Sequence, residues 1–437
     1  MFKTEKIAEG VQLHSLTTTK FKTITSKAYV QTVLGEKTAM TALLPMVISR
    51  GSARFPTMQA IASHLANLYG ARFGCDVAKI GERHCMEFYY EMANTTFVGN
   101  DRELLDQGMA TLVELICHPR IEGNGFHPEY VEQEKVNLKN QINSLIDNKR
   151  NYALQRFYEA MFAGEPFSTY KYGTVEAVER ITPEALLEHY RATRSANPID
   201  IFVVGDFDLE AVRGKWIEGL AELRNGYQPL PCIKSGASPQ QVRQVEEGGD
   251  LQQGILFLGY RTPITYSSPD YYKLLVYSGL LGGFPHSKLF INVREKASLA
   301  YYAWARLEAT KGFLMLNAGI HPDNYQEAVG IILHQVEEIN RGKVSVDELE
   351  ATKHGLINSI LTMEDNAMAV IDRGLMGVIN GVRRGMNDAT SAIRRVTIED
   401  LVEQGRLMEL DTIYFLRGQP LDHIARMTRS EKGANMQ

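Results

Sequence analysis

The pattern of apolar and polar positions predicts the same order of elements twice along the chain. In the first half, MQAIASHLANL has the spacing of an amphipathic helix and precedes two strand-like runs, ARFGCDVAKI and RHCMEFYYEM. In the second half, HSKLFINVREK predicts a helix, and the strand-like runs SLAYYAWARLEA and FLMLNAGI follow it. Each half therefore contains a helix followed by a predicted pair of strands.

Longer helical segments follow these strands in both halves, and each half closes in the same way. The helical spacing covers 101–117 and 128–148 in the first half, then 323–340 and 346–363 in the second. Each half then has a helix starting with the pattern [IV]-T-x-E-x-L-x-E, with a threonine at the expected N-cap, and a buried-type strand follows. The repeated order predicts an internal duplication; chance similarity of two short helix starts is the alternative.

This order predicts an α+β protein with two homologous lobes. Each lobe is expected to have a mainly antiparallel sheet with helices packed on one face. RNGYQPLPCIKSGASPQQ, at 224–241, is rich in proline, glycine and small polar residues and predicts an exposed linker. The expected lobes are 1–223 and 242–437, and we expect them to close around a chamber as a clamshell.

Composition and charge narrow the class of function. The net charge of −5 and the pI near 6.2 argue against a nucleic-acid partner, because a phosphate binder needs a basic surface. The first residues lack the apolar core of a secretory signal, and no apolar run is long enough to span a membrane. The four cysteines form no CxxC pair, which favours free thiols in a reducing cytoplasm.

The segment AYVQTVLGEKTAMTALLPMVISRGS, at 28–52, predicts a strand and then a helix that ends near Arg50. It resembles the zinc-binding region of the pitrilysin/insulinase metallopeptidases, which include the mitochondrial processing peptidase. Those proteins carry HxxEH on a helix, then a short apolar stretch and a basic-Gly-Thr/Ser turn, which is similar to the turn at 50–52 here. Counting back, the two histidine positions fall on Ala42 and Met46, and the glutamate position falls on Pro45. The resemblance therefore implies a degenerate zinc site, because none of these side chains supplies a zinc ligand or a base.

The third zinc ligand of the family is a glutamate on a later helix, to which PEYVEQEKVNLKNQINSLID is similar. The family's acidic pair, seven residues apart, falls on Glu134 and Gln141, so an amide replaces the ligand. The interval from Met46 to Gln141 is longer than in the family, which indicates an insertion near NTTFVGNDREL. A solvated polar stripe is the alternative interpretation of this helix.

No other segment has the spacing of a replacement metal site. The sequence ALLEH at 185–189 resembles HxxEH without its first histidine, but we expect Glu188 and His189 to lie on the surface. We therefore expect no metal in this chain.

The C-terminal half has the stronger match. GGFPHSKLFINVREKASLAYYAWARL is similar, nearly residue by residue, to a family run whose arginine and tyrosine fall on Arg294 and Tyr301, with Tyr302 as the alternative register. The resemblance implies that these two side chains hold the substrate backbone near the scissile carbonyl, where fixed donors can stabilise negative charge. The alternative is structural, with Arg294 capping its helix and Tyr301 filling a strand face.

Three functions are compatible with this pattern. The first is a subunit that is inactive alone, pairs with a homologous HxxEH subunit holding the zinc, and supplies Arg294 and Tyr301 in trans to cleave unfolded peptides. Some bacterial members of the family work as heterodimers of this kind. The second is a non-proteolytic scaffold or peptide-binding protein of the same fold. The third is an active peptidase with an unconventional metal site.

Overall fold

The computed structural model describes residues 1–99, 102–220, 226–233 and 239–418. Residues 224–225 and 234–238 of the expected linker, and 100–101 of the expected insertion, lie outside the described residues. Residues 226–233, inside the expected linker, carry no helix or strand.

The strand-like runs of the sequence form strands in the structure, and further strands lie beside them. In chain order, the strands of the described residues are β1 (Lys3–Ala8), β2 (Val11–Thr17), β3 (Thr23–Val33), β4 (Arg72–Ile80), β5 (Arg83–Ala93), β6 (Ile121–Glu122), β7 (Gly125–Phe126), β8 (Ile199–Gly205), β9 (Arg243–Gly248), β10 (Gly254–Arg261), β11 (Ala300–Glu308), β12 (Phe313–Ile320) and β13 (Glu409–Arg417).

The helices carry apolar residues at helical spacing, and that face packs on a sheet in some of them and on neighbouring helices in others. In chain order they are α1 (Thr38–Ile48), α2 (Met58–Asn67), α3 (Arg102–Cys117), α4 (Pro128–Asn143), α5 (Lys149–Met161), α6 (Val175–Glu179), α7 (Pro183–Ala196), α8 (Leu209–Leu220), α9 (Tyr271–Gly282), α10 (Tyr325–Asn340), α11 (Val346–Met363), α12 (Ala367–Ile379), α13 (Met386–Arg395) and α14 (Ile398–Arg406), with a π-helix at Phe290–Lys296 between α9 and β11.

Five strands of each large sheet have the same order and pairing, which confirms the predicted duplication; β1 is an additional edge strand. One has the order β1-β2-β8-β3-β5-β4, and the other has the order β9-β13-β10-β12-β11. In the first sheet β8 pairs in parallel with β2, and in the second sheet β13 pairs in parallel with β9. The other strand pairs of both sheets are antiparallel. The closing helices also correspond: the Thr182 and Thr397 hydroxyls each accept a bond from the backbone N–H three residues later, as expected of N-caps.

The chain divides into two compact units that exchange a helical segment. Unit 1 consists of Met1–Ser144, Thr169–Ile233 and Glu364–Ile379; the remaining described residues, 145–168 among them, form unit 2. Helix α5 thus belongs to unit 2 and helix α12 to unit 1. The expected lobes, 1–223 and 242–437, do not include this exchange of helices.

Each exchanged helix covers the sheet face opposite the main core of its unit. In unit 1, Ile371 and Leu375 of α12 pack on Tyr29 and Phe202, whose strand neighbours point to the core on the other face. In unit 2, α5 packs in the same way on β10, β12 and β13. The expectation of helices on a single face is therefore incomplete, because each sheet has apolar side chains on both faces.

Candidate functional site

Helix α1 carries the three positions that the resemblance aligns with the family's zinc motif, and it is almost wholly buried. Ala42 and Pro45 are buried and Met46 is partly buried, and all three lie against the core between the sheet and the neighbouring helices. An alanine methyl, a proline ring and a thioether offer no anionic or imidazole ligand. At these three positions the helix therefore packs against the core and offers no metal ligand.

Pro45, which the resemblance aligns with the family's catalytic glutamate, changes the hydrogen bonding of α1. Proline lacks the N–H that would bond the carbonyl of residue 41 in a regular helix. The Pro45 carbonyl accepts bonds from the backbone N–H of Ser49 at 3.0 Å and from the Cys75 thiol at 3.1 Å. Burial raises the pKa of Cys75 to about 11, so this thiol is neutral near pH 7 and is not a reactive thiolate.

Helix α4, which packs on α1, carries the remaining positions of the family's acidic pair. Glu134 is buried and forms an ion pair with Arg50, whose Nε lies 3.2 Å from the carboxylate. Its other oxygen accepts a bond from the side-chain amide of Asn137 at 3.0 Å. Gln141, two turns further along, is exposed. The Glu134 carboxylate is therefore balanced by an arginine in the turn that follows α1.

His189 is buried, so its expected surface position is wrong. Its Nε2 lies 2.9 Å from the Thr41 hydroxyl, next to Ala42 on α1, while Glu188 is exposed. Burial lowers the pKa of His189 to about 4, so the ring is neutral near pH 7. The spacing of α7 contained the signal, because His189 lies between the buried Leu186 and Thr193 on one face.

The titratable residues around α1 do not form a metal centre. Across the parts of the chain that the structure describes, no three or more histidine, cysteine, aspartate or glutamate side chains gather as they would around a metal ion. The donor set at Ala42, Pro45, Met46 and Gln141 does not fit zinc on chemical grounds either.

The candidate arginine of unit 2 lies on an irregular helix. Arg294 belongs to the π-helix, in which the backbone N–H of Ala297 bonds the carbonyl of Asn292. Its side chain is 43% exposed, stacks 4.5 Å from the centre of the Phe290 ring and lies 3.6 Å from the Glu295 carboxylate. Single-turn π-helices occur often at functional sites, because the extra residue redirects a side chain.

The candidate tyrosine of unit 2 lies in a β-bulge. Along β11, Ala300 is opposite Ile320 and Tyr302 is opposite Gly319, so Tyr301 is an inserted residue without a partner. Tyr301 is 73% exposed, and its hydroxyl has no hydrogen-bond partner among the described residues. Tyr302, the alternative register, is half-buried. The bulge thus places the two neighbouring tyrosines in different surroundings.

The sequence of this chain matches a protein family and a curated protein. Residues 180–356 match the family described as the peptidase M16 inactive domain. The chain is 36% identical over 412 residues to a Bacillus subtilis protein named probable inactive metalloprotease YmfF, covering 94% of this chain and 96% of that protein. This chain belongs to the peptidase M16, or pitrilysin, family. The description of both matches as inactive supports a non-catalytic member.

Solved structures of similar proteins share the fold of this M16 family member along nearly the whole chain. A conserved protein from Enterococcus faecalis is 30% identical, with a TM-score of 0.88, and 96% of this chain and 99% of that chain are covered. A peptidase M16 inactive domain from Pseudomonas fluorescens is 16% identical, with a TM-score of 0.77 and coverage of 96% and 98%. The predicted α+β fold is thereby confirmed. In the described part of the chain, no helix is both long and apolar enough to cross a bilayer.

Proposed function

We propose that this M16 family member is the non-zinc-binding subunit of a heterodimeric metallopeptidase. It supplies Arg294 and Tyr301 to an active site whose HxxEH helix and zinc belong to a homologous partner subunit. The substrate is an unfolded peptide. The subunit has no peptidase activity alone, because α1 and α4 of unit 1 offer no zinc ligands at the family positions.

The observation that carries this proposal is the accessibility of the two candidate side chains. Arg294 lies in a π-helix and Tyr301 in a β-bulge, and both extend into solvent. A bulge places an unpaired residue in a strand at a cost in ladder hydrogen bonds, so a large exposed tyrosine there favours a functional role. The alternative structural roles receive less support, since Tyr301 fills no strand face.

The chemistry follows from the donors that the two side chains present. The Tyr301 hydroxyl can donate one hydrogen bond to a peptide carbonyl oxygen, and the guanidinium of Arg294 can donate several. Donors that meet an oxygen as it gains negative charge lower the barrier more than they strengthen ground-state binding. The two residues are therefore expected to orient the peptide and to stabilise developing charge, while the partner supplies the hydrolytic chemistry.

The test is peptidase activity of an equimolar mixture of this chain with an HxxEH relative encoded beside it. We expect activity from the mixture, none from this chain alone, and a roughly hundredfold lower kcat for Tyr301→Phe or Arg294→Ala, the usual effect of removing one such donor. Lys296→Ala, an exposed cation on the same π-helix, is the matched control and should leave kcat unchanged.

Subunit affinity separates a lost donor from a lost complex. The Kd between the subunits should stay the same in all three variants, because the changes remove single exposed groups. Unchanged peptidase activity in Tyr301→Phe and Arg294→Ala would defeat the assigned role and would leave a peptide-binding scaffold as the function.

A further inference from the structure

The bulge that exposes Tyr301 is fixed by the residue that follows it. Tyr302 is opposite Gly319 on β12, and its ring lies over that glycine. A Cβ on residue 319 would lie 2.4 Å from Cε1 of Tyr302 and 2.8 Å from its Cζ. Carbon atoms do not approach so closely, so the ring occupies this place only because residue 319 is glycine.

The same ring also contacts an arginine from α5. The guanidinium carbon of Arg150 lies 4.5 Å from the centre of the Tyr302 ring, which is within the range of a cation–π contact. The Tyr302 hydroxyl is buried, and the guanidinium of Arg150 also lies close enough to it to oppose the rise in its pKa that burial causes. Tyr302 thus contacts both Gly319 and Arg150, all three in unit 2.

Contacts of this kind are needed to distinguish the two tyrosines of the bulge, because their side chains are chemically identical. A shift of one residue in strand pairing turns side chains to the opposite face of the sheet. Such a shift here would bring Tyr301 over Gly319 and turn Tyr302 outward, with little change in side-chain chemistry. The contacts made by the inward ring therefore decide which tyrosine faces solvent.

We propose that Gly319 and Arg150 are positioning residues for Tyr301: by giving the Tyr302 ring room and an attractive contact on the inward side, they fix the bulge and keep Tyr301 turned outward. The importance of this for catalysis rests on the proposed function, in which Tyr301 meets the peptide. Neither Gly319 nor Arg150 needs to touch substrate. Their contribution is to the geometry from which Tyr301 donates.

Hydrogen–deuterium exchange at the amides of residues 299–304 tests directly whether Gly319 and Arg150 fix the bulge. It is measured on the full-length chain without a partner. Gly319→Ala should raise the exchange rates of these amides about tenfold or more, because overpacking forces the ring out. Arg150→Ala should raise these exchange rates roughly two- to fivefold, because an exposed cation–π contact shifts the opening equilibrium by about that factor. Arg150→Lys should restore part of the protection. Lys149→Ala, which removes the neighbouring cation on α5, is the control and should match the unchanged chain.

Kinetics of the heterodimer form the second measurement. Arg150→Ala should lower kcat more than it changes KM, because a misplaced donor fails mainly in the transition state. If exchange at 299–304 is the same in Arg150→Ala and Gly319→Ala as in Lys149→Ala, these two residues do not fix the bulge. If Tyr301→Phe impairs the heterodimer but Arg150→Ala does not, although exchange rises, the positioning role is overturned. If Tyr301→Phe has no effect, the proposed function fails, and exchange alone still decides whether the bulge is clamped.

Discussion

A buried charge cluster in unit 2 anchors the segment after α5 to the sheet, and Glu165 is at its centre. The Glu165 carboxylate lies 2.7 Å from the Lys311 ammonium and 2.8 Å from the Arg261 guanidinium. The Lys311 side chain is fully buried, and Arg261 also pairs with Asp411 at 2.6 Å. Two cations and two carboxylates therefore balance one another, and only Glu165 among them is substantially open to water.

Glu165→Gln keeps the shape of the side chain and removes its charge. Breaking one partner of a buried ion pair costs roughly 3–5 kcal/mol, because the remaining charge stays desolvated. Glu165 is 27% exposed, so water screens part of the effect, and Asp411 still neutralises Arg261. We therefore expect a loss of about 2 kcal/mol in the free energy of unfolding at pH 7.

The pH dependence provides a second signature. Burial alone would raise the pKa of Glu165, but the bonds from Lys311 and Arg261 outweigh it and hold this pKa below its usual value. Since the folded pKa is below the unfolded one, the stabilisation is complete above the unfolded pKa and is lost as pH falls through the folded pKa. The difference between Glu165→Gln and the unchanged chain should therefore shrink between pH 7 and pH 3.

Urea unfolding followed by circular dichroism at several pH values measures both effects. The matched control is Glu159→Gln on α5, whose carboxylate is 39% exposed and pairs with Arg156. Exposed pairs contribute about 0–1 kcal/mol, so the control should change little. A Glu165→Gln loss no larger than that of the control at pH 7, or a loss of equal size at pH 3, would refute the reasoning.

Three further predictions concern unit 1. Burial lowers the pKa of His189 to about 4, so protonation of this residue in the unfolded state should reduce the free energy of unfolding by about 2 kcal/mol between pH 7 and pH 5. In urea unfolding, His189→Gln should lose this pH dependence. His118→Gln, which changes an exposed residue, should retain it. Asp372 of α12 accepts bonds from Lys27 at 2.8 Å and from Tyr29, so Asp372→Ala should cost about 1 kcal/mol in thermal unfolding, and an unchanged Tm would contradict the contact. Metal analysis of the purified chain should find less than stoichiometric zinc, whereas one tightly held ion per chain would revive an active site of unconventional composition.

The order of elements was predictable from the sequence because it depends on local patterns. The duplication, the N-caps at Thr182 and Thr397 and most helices followed from periodicity and capping, which act within a few residues of the chain. The chemistry of the family's zinc positions was readable in the same way, since Ala42, Pro45 and Met46 lack ligands whatever surrounds them.

The tertiary structure decided which surface covers which. Periodicity reveals that α5 and α12 have an apolar face, but each packs on the sheet of the unit formed mainly by the other half of the chain, and that choice depends on contacts distant in sequence. The burial of His189 likewise depends on α1, more than 140 positions away. Two adjacent tyrosines carry no local signal of which one faces solvent; Gly319 and Arg150 provide it only once β11, β12 and α5 have come together.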